Sequence, residues 1–292
     1  MEALIIEAAV NGNTPRERQP HVPRTPSEVT ADAIACLDAG AAIIHSHSHE
    51  MWEPVHSADP YVEAWSPVRE RHPEALFFPT NPGGSIDSRH EDRVAHIVKL
   101  HELGLTQMSF VEPGSLTIGT VGANGLPARD GWMYINTHEQ IGAQFDFCRD
   151  RGLVPRIVIF DPNFLRMTLA YHAHQPLPAG SILLFVFNDG PLLCAPTATL
   201  QSLELYLQLL EGTGLRWMVG GYCDVVASGL AQAAIERGGH VRVGLEDYVG
   251  DRHPTNAQLV REVVELARSA GRPVADSSRA AAMLRLSKDD RG

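Results

Sequence analysis

Eight short, β-rich apolar runs alternate with eight longer helical patterns, and this alternation predicts an α/β fold, a (β/α)8 TIM barrel, for the 292-residue chain. The runs are apolar nearly throughout, as strands are when helices cover a parallel sheet. Eight strand–helix pairs close a barrel. No GxGxxG segment follows the first run, which argues against the alternative, an open doubly wound sheet. Residues 1–292 read as a single domain, since barrels of this length are ordinary.

The predicted strands are 4–10, 42–47, 75–80, 106–111, 154–160, 181–187, 215–220 and 240–245. Helical patterns lie between and after them, near 27–39, 59–71, 88–103, 137–151, 162–173, 198–211, 224–237 and 255–270. Thr25-Pro26-Ser27-Glu28 puts a proline and an acid in a first turn, and Asp161-Pro162 and Pro254-Thr255 are similar starts. Gly40, Gly104, Gly152 and Gly238-Gly239 follow helical runs, where a left-handed residue ends a helix. The long connections 11–26, 48–58, 81–87 and 112–136 all follow strands, so the long loops after strands 1, 2 and 4 gather on the barrel face that carries active sites. The longest, 112–136, holds five glycines and reads as a lid or a subunit contact.

Apolar residues make up 44% and charged residues 20%, which suits a globular protein with a large core. The net charge of -11 argues against a phosphate-neutralising surface, so no nucleic-acid partner is expected. The N-terminus has no basic segment followed by a long apolar run, and no stretch reaches about 18 apolar residues, so neither signal peptide nor membrane span is expected. Cys36, Cys148, Cys194 and Cys223 are scattered without a CxxC, which points to reduced thiols and a cytoplasmic protein. Cys223 reads as a packed core thiol.

Two segments carry chemistry. In Ile43-Ile44-His45-Ser46-His47-Ser48-His49, residues two apart share one face of a strand, so His45 and His47 point together near a strand end. Two imidazoles there suit zinc, which takes a third protein ligand and leaves one position open; a hydrogen-bonded histidine pair at the rim is the alternative. His49 has the same parity but falls beyond the predicted strand. In His240-Val241-Arg242-Val243-Gly244-Leu245-Glu246-Asp247, Arg242, Gly244 and Glu246 alternate onto one face. Charges aimed into a barrel are costly unless paired or metal-bound. Glu246 is therefore the candidate third ligand, and Arg242 and Asp247 a candidate catalytic pair; a structural ion pair is the competing account. Glu7, inside the first strand, either bonds Arg242 or faces the helix layer. The polar rims at Asn11-Gly12-Asn13-Thr14 and Thr80-Asn81-Pro82-Gly83-Gly84-Ser85 offer N–H groups and amides to a substrate, through Asn11, Thr80, Asn81, Gly83 and Gly84. Glu112 and Asp161 are further rim acids.

The segments AAVNG at 8–12, TPSEVTADAIACLDAGAAIIHSH at 25–47, GGHVRVGLEDYVG at 238–250 and NAQLVREVVELARSAGRPVA at 256–275 resemble the β-keto acid cleavage enzyme family along essentially the whole chain. The resemblance implies a (β/α)8 barrel, a homotetramer, and Zn2+ bound by His45, His47 and Glu246. It implies condensation of a β-keto acid with acetyl-CoA, with Asp247 as base paired to Arg242, followed by retro-Claisen cleavage to acetoacetate and a CoA thioester. The chain departs from the family pattern in its substrate shell. His49 replaces an arginine, Asn13-Thr14 replace a glutamate, Thr80-Asn81-Pro82-Gly83-Gly84 replaces a Ser-Thr-Gly-Gly rim, and Phe110 and Glu112 replace a Thr and an Asn. Glu7 is unusual too. Glu112, as an added rim acid, would suit a cationic substrate group. A zinc lyase or hydrolase without CoA, and a non-catalytic metal- or ligand-binding barrel, are the other readings these residues allow.

Overall fold

The computed structural model describes residues 2–48 and 55–286; His49 lies outside the described residues. In chain order the strands are β1 (Ile6–Ala9), β2 (Ile43–Ser46), β3 (Leu76–Pro79), β4 (Met108–Val111), β5 (Leu116–Ile118), β6 (Trp132–Tyr134), β7 (Val154–Ile159), β8 (Ile182–Asn188), β9 (Arg216–Tyr222) and β10 (His240–Val243). The helices are α1 (Pro26–Ala39), α2 (Asp59–Arg71), α3 (His90–Glu102), α4 (His138–Arg151), α5 (Pro162–His174), α6 (Leu200–Leu210), α7 (Leu230–Glu236), α8 (Asn256–Ser269) and α9 (Ser277–Met283).

Eight parallel strands run in the order β3-β2-β1-β10-β9-β8-β7-β4, a nearly closed barrel wrapped by alternating helices. The seam lies between β3 and β4, where Thr106 Oγ1 donates to the Phe77 carbonyl at 2.7 Å. Pro79 has no N–H to give a ladder, and it sits on this seam strand, where prolines are tolerated.

Strand parity sorts the core into two layers. Ile6, Ala8 and Val10 of the first strand region join Ile44, Phe77, Ile157, Phe185 and Val241 against the helices. The alternate residues Ile5, Ile43, Leu76, Met108, Val154, Ile182 and Met218 fill the barrel's interior. Above this apolar floor the same inward parity places Glu7, His45, Arg156 and Arg242, all buried.

Helix ends follow the expected chemistry. Thr25 caps α1, with Glu28 completing a capping box and Pro26 in the first turn. Asp161 caps α5 by accepting from the Asn163 and Phe164 amides, and Thr255 caps α8. Gly40 and Gly152 close α1 and α4 in the left-handed region.

Three features differ from the sequence reading. Helix α7 begins at Leu230, not at 224, because Asp224 Oδ1 accepts from the Val226 and Ala227 amides and holds a turn first. The 112–136 connection contains the antiparallel hairpin β5–β6. Residues 273–286 close the barrel's lower end. Leu4 exchanges backbone hydrogen bonds with Pro273 and Ala275, Ser277 Oγ donates to the Ala42 carbonyl, and Ala280, Ala281 and Leu284 pack into the inner cluster.

Candidate active site

His45 and His47 stand at the top of β2, with ring centroids 5.1 Å apart. Across the β1 gap, Glu246 reaches back from the turn after β10. Its Oε1 lies 3.0 Å from His47 Nε2 and its Oε2 lies 3.1 Å from His45 Nε2. One ligand atom from each of the three lies within 4.8 Å of the others. Among the described residues this is the sole set of three His, Cys, Asp or Glu side chains so placed.

Two glycines make the reach of Glu246 possible. Gly244, at φ +144°, ends β10 where a Cβ would lie 2.0 Å from the Ala9 carbonyl oxygen. Only glycine lets the chain pass this closely and turn. Gly12 leaves the space that Glu246 occupies, since a Cβ there would meet Glu246 Cγ at 2.5 Å. The surrounding polar groups fix the turn. Thr14 Oγ1 donates to the Glu246 carbonyl at 2.9 Å, and Asn256 accepts from the Leu245 amide at 2.7 Å while donating to the Val10 carbonyl.

The donor set fits a divalent metal. His45 Nδ1 lies 2.8 Å from the Phe78 carbonyl and donates to it, leaving Nε2 as a bare lone pair turned to Glu246. Burial holds His45 below the ordinary histidine range, against the raising pull of Glu246, so the ring is neutral. His45 Nε2 and Glu246 Oε2 are buried without a hydrogen-bond partner among the described residues, although they face each other. Two acceptor lone pairs pressed together are unfavourable unless a cation lies between them. Ligand bonds of about 2.0–2.1 Å in tetrahedral array place ligand atoms about 3.3 Å apart, close to these separations.

Beside the ligands lies a lattice of buried charges. Arg242 contacts three carboxylates: Nε to Asp247 Oδ2 at 2.7 Å, Nη1 to Glu7 Oε1 at 2.7 Å and Nη2 to Glu246 Oε1 at 2.9 Å. Glu7 also receives Arg156, through Nε at 3.1 Å and Nη2 at 2.9 Å. Glu7 therefore faces the barrel interior and bonds Arg242, the first of the two placements open to it. Burial would raise the Glu7 carboxyl, but Arg156 and Arg242 outweigh it and hold the pKa at about 2. The other two acids on Arg242 diverge. Burial raises Glu246, yet Arg242 and the histidines pull it well below the usual range. Burial raises Asp247 as well; Arg242 opposes this, the Glu246 charge adds to it, and the net shift is upward. A carboxylate held above its ordinary pKa, beside a metal-ligand set, has the character of a general base.

A cavity of about 610 Å³ opens over this constellation. His47, Thr80, Asn81, Gly83, Gly84, Glu112, Arg242, Glu246 and Asp247 all line it. Asn11 does not. Both ends of its amide are spent on the His47 backbone, at 2.7 and 3.1 Å, so it positions a ligand-bearing segment. Glu112 lines the cavity but is already engaged: Arg93 Nη2 donates to it at 3.2 Å and Tyr134 Oη donates to the same oxygen. Both donors meet the same oxygen, Oε2, so the carboxylate's charge is paired with Arg93. Asp161 serves as the α5 cap, and Cys223 is a buried thiol. A second depression of about 670 Å³, around Arg252 and Glu262, lies at the start of α8 outside the barrel and holds none of the ligand or base residues.

Arg156, Arg93 and Tyr134 were not singled out in the sequence. Arg156 had a signal, a lone charge with inward parity inside the apolar run Val154–Ile159. Arg93 lies on a charged amphipathic helix and meets Glu112 and Asn136 only through tertiary packing, so no local pattern marks it.

A family model described as beta-keto acid cleavage enzyme matches residues 3–286. A 3-keto-5-aminohexanoate cleavage enzyme of Acetoanaerobium sticklandii is 30% identical over 99% of this chain and all of its own length. A 3-oxoadipate:acetyl-CoA acetyltransferase of Cupriavidus necator is 26% identical over 98% of this chain and 95% of its own. Among solved structures, ObcA in complex with oxaloacetate superposes with a TM-score of 0.68 at 18% identity, over 91% of this chain and 67% of that one. Dihydropteroate synthase of Yersinia pestis superposes with a TM-score of 0.54 at 11% identity, over 92% of this chain and 93% of that one. At such identities these two speak for the barrel alone. The match of the family model along nearly all the described chain, with the full-length relatives beside it, makes this chain a member of the β-keto acid cleavage enzyme family.

Proposed function

We propose that the chain is a zinc-dependent enzyme that condenses a β-keto acid with acetyl-CoA and releases acetoacetate and a new CoA thioester. The observation that carries this reading is the adjacency of the His45–His47–Glu246 ligand set to the Asp247–Arg242 pair on one cavity. Zinc held by those three side chains supplies a Lewis acid at the β-carbonyl. Asp247, held by Arg242 through one oxygen and raised by burial, takes a proton from the carbon between the two carbonyls. Arg242, fixed by Glu7 and Glu246, keeps that carboxylate aimed. The carbanion carbon then attacks the acetyl carbonyl of the thioester, and CoA leaves as thiolate. The thiolate adds to the original β-carbonyl, and the bond between that carbon and the former carbanion carbon breaks. The electron pair of that bond takes back the proton held by Asp247, acetoacetate leaves, and the acyl remainder is carried on CoA as a thioester. Thr80, Asn81, Gly83 and Gly84 form the polar rim available to the substrate carboxylate. The same reading carries a homotetramer working in the cytoplasm.

The test combines metal analysis with turnover. Wild type binds zinc stoichiometrically, and His45→Ala and Glu246→Ala lose most of it. Asp247→Asn keeps the metal and loses CoA-ester formation from β-keto acids and acetyl-CoA. Equal zinc in all three proteins would sink the ligand assignment; undiminished turnover in Asp247→Asn would sink the base.

A further inference from the structure

The cavity wall is divided by the barrel's own topology. The metal-ligand set and its base come from β2 and the turn after β10, which flank β1. On the far side, β4, β7 and β8 are three consecutive strands. At cavity depth they present Phe110, Val158, Phe160, Leu184 and Val186, and hairpin β5–β6 adds Ile118 over them. None of these side chains carries a charge or a hydrogen-bonding group.

The charged groups near this wall are committed elsewhere. Glu112 is held by Arg93 and Tyr134. Arg156 is fully buried, with Nε and Nη2 on Glu7 and Nη1 buried without a hydrogen-bond partner among the described residues. A side chain bearing an ammonium or a carboxylate would lose its hydration here and meet only charges already ion-paired, Glu112 with Arg93 and Arg156 with Glu7. An apolar one would lose only ordered water.

We infer that the β-keto acid taken by this chain carries an uncharged, apolar side chain beyond its β-carbonyl, branched-aliphatic or aryl-alkyl, lodged against the wall formed by β4, β7 and β8. The inference rests on the reaction proposed above for which end of the substrate faces the metal. It separates this chain from relatives whose names specify an amino-bearing acid, 3-keto-5-aminohexanoate, and a second carboxylate, 3-oxoadipate.

The experiment compares three 3-oxo acids of six-carbon backbone. 5-Methyl-3-oxohexanoate and 3-keto-5-aminohexanoate differ by a methyl in place of the ammonium; 3-oxoadipate ends in a carboxylate. Binding of each to the zinc-loaded protein is measured by calorimetry without acetyl-CoA, and kcat/KM is then measured with it. The methyl compound is expected to bind at least about tenfold more tightly than either charged one, a difference of about 1.4 kcal/mol. Equal or tighter binding of a charged compound overturns the inference, as does absence of binding by all three. A preserved binding preference without CoA-ester formation upholds the apolar wall and refutes the acyl-transfer reading instead. Val158→Asp, which sets a carboxylate on the wall, is expected to shift the preference toward the amine; if this variant does not fold, the wild-type binding ratio decides alone.

Discussion

Replacing Glu7 with glutamine perturbs the charge lattice at its centre. Glu7 is fully buried and receives three N–H groups, two from Arg156 and one from Arg242. Removing its charge leaves two guanidiniums in the barrel with one carboxylate fewer. The pKa of about 2, against an ordinary 4.5, makes the ionised form worth about 3 kcal/mol at neutral pH. Mutational removal of one partner from a buried pair costs about 3–5 kcal/mol. For a chain of this length the unfolding entropy is about 0.6 kcal/mol per degree, so Tm should fall by about 5–8 °C. The sign with pH follows from the depressed pKa. The stabilisation is fully present above pH 4.5 and is lost as pH falls toward about 2, so the Tm values of variant and wild type converge across that window. Thermal unfolding of the two proteins at pH 7 and pH 3 reads the effect. A Tm within about 1 °C of wild type at pH 7 would refute the view that Glu7 neutralises the two arginines.

Three further outcomes are expected. Gly12→Ala sets a Cβ 2.5 Å from Glu246 Cγ and displaces that ligand, so zinc affinity falls by about 10–100-fold with the fold retained; competition with a chromophoric chelator measures it. His240 accepts the Ile5 amide through Nδ1 at 3.0 Å, and burial, with Arg272 and Arg216, lowers its pKa to about 3; stability is therefore lost as pH drops from about 6.5 toward 3, and His240→Asn should flatten that loss in urea titrations across the range. Asp32, raised to about 6 by burial and bonded to Asn256, costs stability as pH rises from 3.8 through 6; Asp32→Asn should gain about 3 kcal/mol at pH 8 and nothing at pH 3, and an equal effect at both would contradict the raised pKa.

Strand parity made much of the site readable in the sequence. All eight barrel strands appear where apolar runs predicted them, because buried parallel strands leave an unbroken signal. The same period of two put His45 beside His47 and identified Arg242 as an inward charge. The parity test applied to Val154–Ile159 would have flagged Arg156 equally. Other features depend on contacts that no local pattern encodes. Glu112 reads as a free rim acid until Arg93, 19 residues away, is seen to hold it. Hairpin β5–β6 has strands of three residues each, too short for alternation to register. Asn11 looks like a substrate amide in sequence and is instead occupied by the His47 backbone.

The closure of the barrel floor by residues 273–286 ties the two ends of the described chain together. Leu4 finds its backbone partners at Pro273 and Ala275, and the Ala42 carbonyl accepts from Ser277. Without those residues, Ile5, Ile43 and Leu76 would line an open-bottomed cup with apolar surface turned to water. Such an intermediate is a natural substrate for chaperones and proteases. A chain cut before residue 273 would hold His45, His47, Glu246 and Asp247, yet lack the floor beneath them. The floor that α9 helps to close thus lies at the opposite end of the barrel from the candidate site.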